Sequence, residues 1–292
     1  MAIIPSYQRL GEILVTRGVL QPEDVSRILA YQVTHSVRFG EAAVALGLAD
    51  GASVQIALAH QFGYFHTTPD RRRSSPELTI LHQPNGLYAE SIRATRAQLL
   101  LRAEAEFRCG RSAPRTLAVV SADFCEGRTR LVANLAVALA QSGRRTLVID
   151  SDLRAPRQHQ VFGLSEVGNG LSTILGKIAA SDTSSTVTLT PIQDMASLFL
   201  LPSQPAPVDP LEQLENPNLS ALLSQLSQQF EHILLDTPAY AAGPDVLTIC
   251  ARCDAALLVV RPQHTRTRRA RALVEALQRS HTLILGTVIH DF

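Results

Sequence analysis

Three short stretches of the 292-residue chain carry residues that could do chemistry together. The first is the loop SADFCEGRT, residues 121–129, which ends in Gly127, Arg128 and Thr129. It lies between an apolar run and a helical one. A phosphate cradle needs that context, because successive backbone N–H groups and a helix N-terminus converge there on an anion. Thr129 offers a hydroxyl to a hard cation, and Arg128 supplies positive charge. The second stretch is Asp150-Ser151-Asp152-Leu153-Arg154, and the third is Asp236-Thr237-Pro238. Carboxylates at those points can hold a nucleotide's magnesium directly or through water.

The elements that must position these residues are legible as periodicity. Thr116–Ser121 is a β-branched apolar run of the kind that forms a buried parallel strand. Residues 146–149 and 232–235 read as two more strands, each ending at a carboxylate. Leu131, Leu135 and Leu139, with Val132 and Ala136, recur at helical spacing until Gly143 supplies a C-cap. Carboxylates at the C-terminal ends of parallel strands sit where an open α/β sheet binds its ligands. The expected fold of this part is therefore α/β, a doubly wound, mostly parallel P-loop domain, with residues 255–260 and 283–289 completing the sheet. Against Gly-x-x-x-x-Gly-Lys-Ser/Thr the loop is degenerate. Ala122 stands for the first glycine and Arg128 for the lysine, a planar fork in place of a compact ammonium. Lys177 is the one lysine among 27 basic residues, so an Arg-rich composition explains part of the change.

SADFCEGRT, LVIDSDLRAPR and ILLDTP together resemble the Walker A, A′ and B motifs of bacterial tyrosine kinases (BY-kinases), close to the EpsG-type kinases of exopolysaccharide operons. The resemblance implies an ATP-dependent protein tyrosine autokinase controlling chain length or export of an exopolysaccharide. It implies that Glu126, Gly127, Arg128, Thr129 and Arg130 bind ATP, with Thr129, Asp152 and Asp236 at Mg2+. Asp150 helps the metal or the incoming tyrosine hydroxyl, and Arg128 balances charge on the transferred phosphoryl. Cys125 departs from the family, which carries glycine there, and its Cβ is expected to intrude where backbone approaches phosphate. His290 stands where the family contacts adenine. Residues 150–164 follow the family's Asp-x-Asp-x-Arg-x-Pro-Arg segment, and Leu200-Leu201-Pro202 with Pro207 to Glu212 follow a later one around the substrate cleft.

Leu87–Arg108 reads as a helix with Glu90, Arg93 and Arg96 at i, i+3, i+6. The spacing allows intrahelical pairs. In BY-kinases the same pattern bridges neighbouring subunits of a ring, so a homo-oligomer is expected. The resemblance also implies an activating partner, the cytoplasmic end of a membrane chain-length-determinant protein of the Wzc/EpsF kind. Such kinases usually carry a tyrosine cluster at the C-terminus. The five tyrosines here are Tyr7, Tyr31, Tyr64, Tyr88 and Tyr240, which keeps a second reading open: a pseudokinase or weak ATPase that passes on a signal. A third reading is a ParA-like positioning ATPase.

The N-terminal part repeats itself at an offset of 29 residues. Arg9-Leu10-Gly11, Gly18, Leu29 and Gln32 recur as Arg38-Phe39-Gly40, Gly47, Leu58 and Gln61. Each unit reads as a short helix, a glycine-ended turn and a longer helix beginning near Pro22 or Gly51. One reading is a duplicated helical docking module. The units also resemble the MshEN domain of type II secretion and pilus ATPases, whose tandem repeats bind cyclic di-GMP. The resemblance implies a ligand held by Arg9, Leu10, Gly11, Gln32, Arg38, Gly40 and Gln61, with guanidinium groups on phosphate or guanine and backbone exposed at glycine. The domains expected are therefore an all-α tandem repeat at 1–66, a Pro-, Ser- and Arg-rich linker at 67–86 that includes Arg71-Arg72-Arg73, and the P-loop domain at 87–292.

Composition bounds the rest. Net charge is +1, hydrophobic content 46% and charged content 18%, so no overall field recruits nucleic acid or anionic lipid. The start lacks a basic n-region and a cleavage site, and no run approaches the roughly 18 apolar residues of a membrane span. The expectation is a cytoplasmic protein recruited to the inner membrane by its partner. Cys250 and Cys253 have metal or redox spacing, but no second pair accompanies them, and structural thiols are expected.

Overall fold

The computed structural model describes residues 10–35, 37–51, 53–54, 57, 74–110, 112–164, 170–179, 187–192, 195–205 and 209–291. The chain falls into two compact units, Met1–Thr67 together with Gln141–Gly143, and Thr68–Ala140 with Arg144–Phe292.

In the first unit α1 (Leu10–Thr16) and α2 (Pro22–His35) belong to one repeat, and α3 (Phe39–Ala45) opens the second. The 29-residue offset governs the backbone as well as the sequence. Gly18 and Gly47 adopt φ of 71° and 65°, the left-handed conformation that ends a helix. Leu20 N–H bonds the Leu14 carbonyl at 3.3 Å, and Ala49 N–H bonds Ala43 at the same 3.3 Å. A Cβ on Gly11 would stand 3.4 Å from Val25 and 3.1 Å from Phe39, and one on Gly40 would stand 2.5 Å from Val54. Val25 and Val54 are themselves 29 apart. The conserved offset is a packing rule: each first helix carries a glycine so that a valine of the following helix can close on it.

In the second unit α4 (Thr79–His82) and α5 (Leu87–Arg108) precede β1 (Thr116–Ser121), α6 (Arg128–Gln141), β2 (Thr146–Asp150) and α7 (Gln158–Val161). There follow α8 (Leu171–Ala179), β3 (Thr190–Pro191), β4 (Leu198–Leu201), α9 (Pro210–Glu215) and α10 (Asn218–Leu226). The unit closes with β5 (His232–Asp236), α11 (Asp245–Cys250), β6 (Ala255–Val260), α12 (Thr267–Arg279) and β7 (Ile284–Ile289). The seven strands order as β3-β4-β2-β5-β1-β6-β7, parallel except for β3 against β4. Alternate residues of β1 serve opposite faces. Leu117 and Val119 pack with α5 and α6, whereas Ala118 and Val120 pack with the helices from α8 to α12. This is the doubly wound architecture expected.

Helix α6 is buried over the whole of residues 131–140, as befits a helix apolar on every side. Its one polar residue in that run, Asn134, is fully bonded. It accepts from Ile80 N–H at 2.9 Å and donates to the Glu77 and Arg130 carbonyls at 2.8 Å. These contacts correct the expected linker. Residues 74–86 are part of the second unit, with Leu78, Ile80 and Leu81 buried in its core. The remainder of that stretch, with Arg71-Arg72-Arg73, lies outside the described residues.

Gly40→Ala tests the packing rule. Helix propensity favours alanine by about 1 kcal/mol, but overpacking against a stiff valine costs about 1–3 kcal/mol. The expected result is faster amide exchange in α3 of the intact chain, with protection restored in Gly40→Ala/Val54→Ala.

Candidate functional site

The loop after β1 sits at the C-terminal edge of a central strand, between β5 and β6. Gly127 has φ of 84° and Cys125 φ of 56°, so the position that departs from glycine takes a conformation glycine favours. The Glu126 carboxylate turns inward and is buried, accepting from Asp123 N–H at 3.0 Å and from the Thr265 hydroxyl. It braces the loop with its side chain, which leaves contact with a nucleotide at this position to the backbone N–H. The segment between β6 and α12 grips the same loop from outside. Arg261 donates to the Cys125 carbonyl at 3.2 Å, His264 Nε2 to the Phe124 carbonyl at 3.0 Å, and Arg269 pairs with Asp123.

Arg128, the first residue of α6, is buried. Its Nε donates to the Thr237 carbonyl at 2.9 Å, and its Nη1 donates to the Asp123 carbonyl at 2.9 Å and to the Ser121 hydroxyl. The side chain is thus spent on three neutral oxygens of the protein. The donors left open by position are the first N–H groups of α6, which have no intrahelical partner.

Asp150 and Asp236 end neighbouring strands in register. Both are buried. Gln158 joins them: its N–H donates to Asp150 Oδ2 at 2.8 Å, and its Nε2 donates to Asp236 Oδ2 at 2.9 Å and to the Thr129 carbonyl at 3.1 Å. The other oxygen of each carboxylate, Oδ1, is buried without a hydrogen-bond partner. Burial, reinforced by the charge of Asp236, pushes the Asp150 carboxyl well above its usual range. Burial raises Asp236 to about 6, against the pull of Arg128. Two unpartnered anionic oxygens next to the loop threonine fit a magnesium ion, which keeps waters and takes one or two carboxylates besides phosphate oxygens. A complete cage of three His, Cys, Asp or Glu side chains is absent among the described residues. Asp152 is half-buried, and its Oδ1 accepts from Arg154 and Ala155 N–H at 3.2 and 3.0 Å.

Two expected nucleotide contacts are engaged elsewhere. Arg130 lies 4.8 Å over the Tyr88 ring and donates to the Thr79 hydroxyl at 2.9 Å. His290 is buried and shares a 2.7 Å hydrogen bond with the Tyr88 hydroxyl. Burial lowers the imidazole to about 4 and raises the phenol to about 12, so a neutral hydroxyl meets a neutral ring. On α5, Arg93 pairs with Glu90 of its own helix. Arg96 donates to the Ala138 carbonyl at 2.6 Å, capping the last turn of α6.

In the first unit Leu10 and Gly11 are buried in the core, which corrects the expectation of backbone exposed at glycine. Gly40 is packed against Val54. Gln32 Nε2 donates to the Val37 carbonyl at 3.1 Å, joining the end of one repeat to the start of the next. Arg38 is exposed, its N–H held by Glu41 at 2.9 Å. Arg9 and Gln61 lie outside the described residues. Cys250 is buried, and burial pushes its thiol up to about 12.

Sequence reasoning missed Gln158 and the grip on the loop from residues 261–269. A glutamine in a short helix has no spacing signature. The Arg-x-x-His-Thr run after β6 was visible, but its partners are about 140 positions away.

The sequence model of the ParA family, described as NUBPL iron-transfer P-loop NTPase, matches residues 112–290. Tyrosine-protein kinase YwqD of Bacillus subtilis (strain 168) is 27% identical over 218 residues, 75% of this chain and 87% of YwqD. Among solved structures, the chimerical protein CapA2B2 is similar at a TM-score of 0.64 and 25% identity, over 74% of this chain and 90% of that one. The cell division ATPase MinD of Pyrococcus furiosus is similar at a TM-score of 0.52 and 25% identity, over 60% of this chain and 71% of that one.

The buried carboxyl pair has a pH signature. Raised carboxyl pKa values mean that the folded state binds more protons at this pair than the unfolded one, so the pair's contribution to stability is fully present below about 3.8 and is lost as pH rises through about 6. Asp150→Asn removes one charge and the repulsion. Its melting temperature should match the parent near pH 4 and exceed it by several degrees at pH 7.5, since about 1 kcal/mol moves Tm by about 2–4 °C. An equal difference at both pH values would contradict the repulsion.

Proposed function

The chain belongs to the ParA family of P-loop NTPases, and on that premise we propose an ATP-dependent protein tyrosine kinase-like regulator of exopolysaccharide polymerisation, chain length or export. The observation that carries the reading is the junction at Gln158, whose backbone N–H bonds Asp150 and whose side-chain amide bonds Asp236 and the Thr129 carbonyl. The kinase name of YwqD supports the reaction class. The buried, protonated Cys250 gives the iron transfer in the family description no support here.

Thr129 and Asp236 would hold Mg2+, with Asp152 reaching it through water. The ion would supply positive charge against the β- and γ-phosphate oxygens. The first turn of α6 binds phosphate through its N–H groups. Asp150, with its carboxyl raised by burial, is assigned the proton of the incoming tyrosine hydroxyl. Arg128 must release the Thr237, Ser121 and Asp123 oxygens before it can reach a phosphoryl group. That cost favours a slow enzyme, so the weak-ATPase form of the reading is the second one retained. Glu90, Arg93 and Arg96 are proposed as a ring contact, and a membrane chain-length-determinant protein is proposed as activator at the inner membrane. No helix among the described residues is long and apolar enough to cross a membrane.

ATP should bind weakly and only with magnesium. Asp236→Ala should abolish that binding, and Cys125→Gly should tighten it by up to about tenfold, a decade per 1.4 kcal/mol. Titration calorimetry reads both, and radiolabel transfer to tyrosine separates kinase from positioning ATPase. Magnesium-dependent binding that survives Asp236→Ala would remove the assignment.

Cyclic di-GMP control is the remaining part of the proposal, resting on the tandem repeat. Charge-assisted bonds from Arg9 and Arg38 are worth about 1.5–3 kcal/mol each. Arg9→Ala should weaken binding to the intact chain by roughly ten- to a hundredfold, and Arg38→Ala by less. An absence of heat near millimolar ligand would leave the repeat as a docking module.

A further inference from the structure

Helix α12 begins with charges of the sign that a helix N-terminus disfavours. Arg266 is its N-cap, Arg268 and Arg271 follow within the first turns, and the first turn contains no acidic residue. The helix dipole and the i, i+3 placement of Arg268 and Arg271 both oppose this arrangement. All three guanidinium groups are exposed, and none has a hydrogen-bond or ion-pair partner among the described residues. Glu275, one turn beyond Arg271, is not bonded to it either. Composition does not explain the cluster, because the whole chain carries a net charge of only +1.

The cluster adjoins the nucleotide loop. Residues of the same segment, Thr265 and Arg269, bond Glu126 and Asp123, and His264 bonds the carbonyl of Phe124. Phe124 leaves 55% of its surface exposed at the tip of that loop. The exposed ring thus belongs to the loop that this segment holds, and the uncompensated arginines open the helix that follows; aromatic and arginine side chains are the residues that dominate protein-binding hot spots.

We propose that Arg266, Arg268 and Arg271, with Phe124, form a docking surface for an acidic polypeptide segment carrying an apolar side chain. Anionic lipid fits less well. The apolar residues of α12, Leu273, Ala276 and Leu277, are buried against the sheet, so the exposed face has nothing to insert into a bilayer. Duplex nucleic acid fits less well too, because three charges neutralise few phosphates. The surface goes beyond the kinase reading and does not depend on it. A segment seated there would touch the loop through Phe124 whether or not phosphate is transferred.

Fluorescence anisotropy on the intact chain tests the proposal, with a labelled 15-residue peptide of glutamate and two phenylalanines and the same peptide with glutamine for glutamate. The acidic peptide should bind at about 50 mM salt and release at high salt, where screening is short-ranged. The glutamine peptide should bind at least tenfold more weakly. Arg266→Ser/Arg268→Ser/Arg271→Ser should lose at least tenfold in peptide affinity and keep its Mg2+-ATP affinity. Arg268→Glu alone should also weaken the acidic peptide and serves if the triple variant misfolds. Unchanged binding by the folded variants would overturn the proposal. So would phosphatidylserine vesicles or duplex DNA that bind more tightly than the peptide and lose that binding in the same variants.

Discussion

Two carboxylates buried side by side are the constraint around which the P-loop unit is arranged. Asp150 and Asp236 are register partners on β2 and β5, so the sheet itself forces them together. Removing two like charges from water is unfavourable unless something compensates. The chain supplies partial compensation only. Gln158 satisfies one oxygen of each, and Arg128 lies close enough to lower Asp236. What remains is a site whose folded state is improved by a proton or a cation. Without either, the strand ends are held in place against their own repulsion.

Much of this was legible in the sequence. The buried parallel strands announce themselves as apolar runs because both faces are covered, and helix Leu87–Arg108 was readable to both ends. The acidic strand ends were readable as well, since a carboxylate directly after an apolar run has few structural uses. Direction of side chains was not legible. Glu126 in the loop and Arg130 in the first turn of α6 were expected to face a nucleotide, yet one side chain is drawn in by Asp123 N–H and the other by the Tyr88 ring. The linker was misread for a different reason. Pro, Ser and Arg dominated residues 67–86 and concealed Leu78, Ile80 and Leu81, which fill a groove beside α6.

The first unit shows how a repeat can be kept while its members diverge. Gly11 and Gly40 hold equivalent places, but the residue preceding the second is Phe39, whose ring lies against Gly11. The aromatic that breaks the sequence repeat therefore fills space that the other repeat leaves open. Ala43 stands where the first repeat has Leu14, and both are buried in the same core. One repeat is larger inside and the other smaller.

The bonds of Asn134 give the connecting segment a mechanical meaning. Ile80 and Glu77 are moored to α6 at a point five residues, about one and a half turns, from Thr129. Tension on residue 74 would not stop at the surface of the sheet. It would load the helix whose opening turn carries Thr129. The segment that had looked like slack rope is part of the scaffold that holds this helix in place.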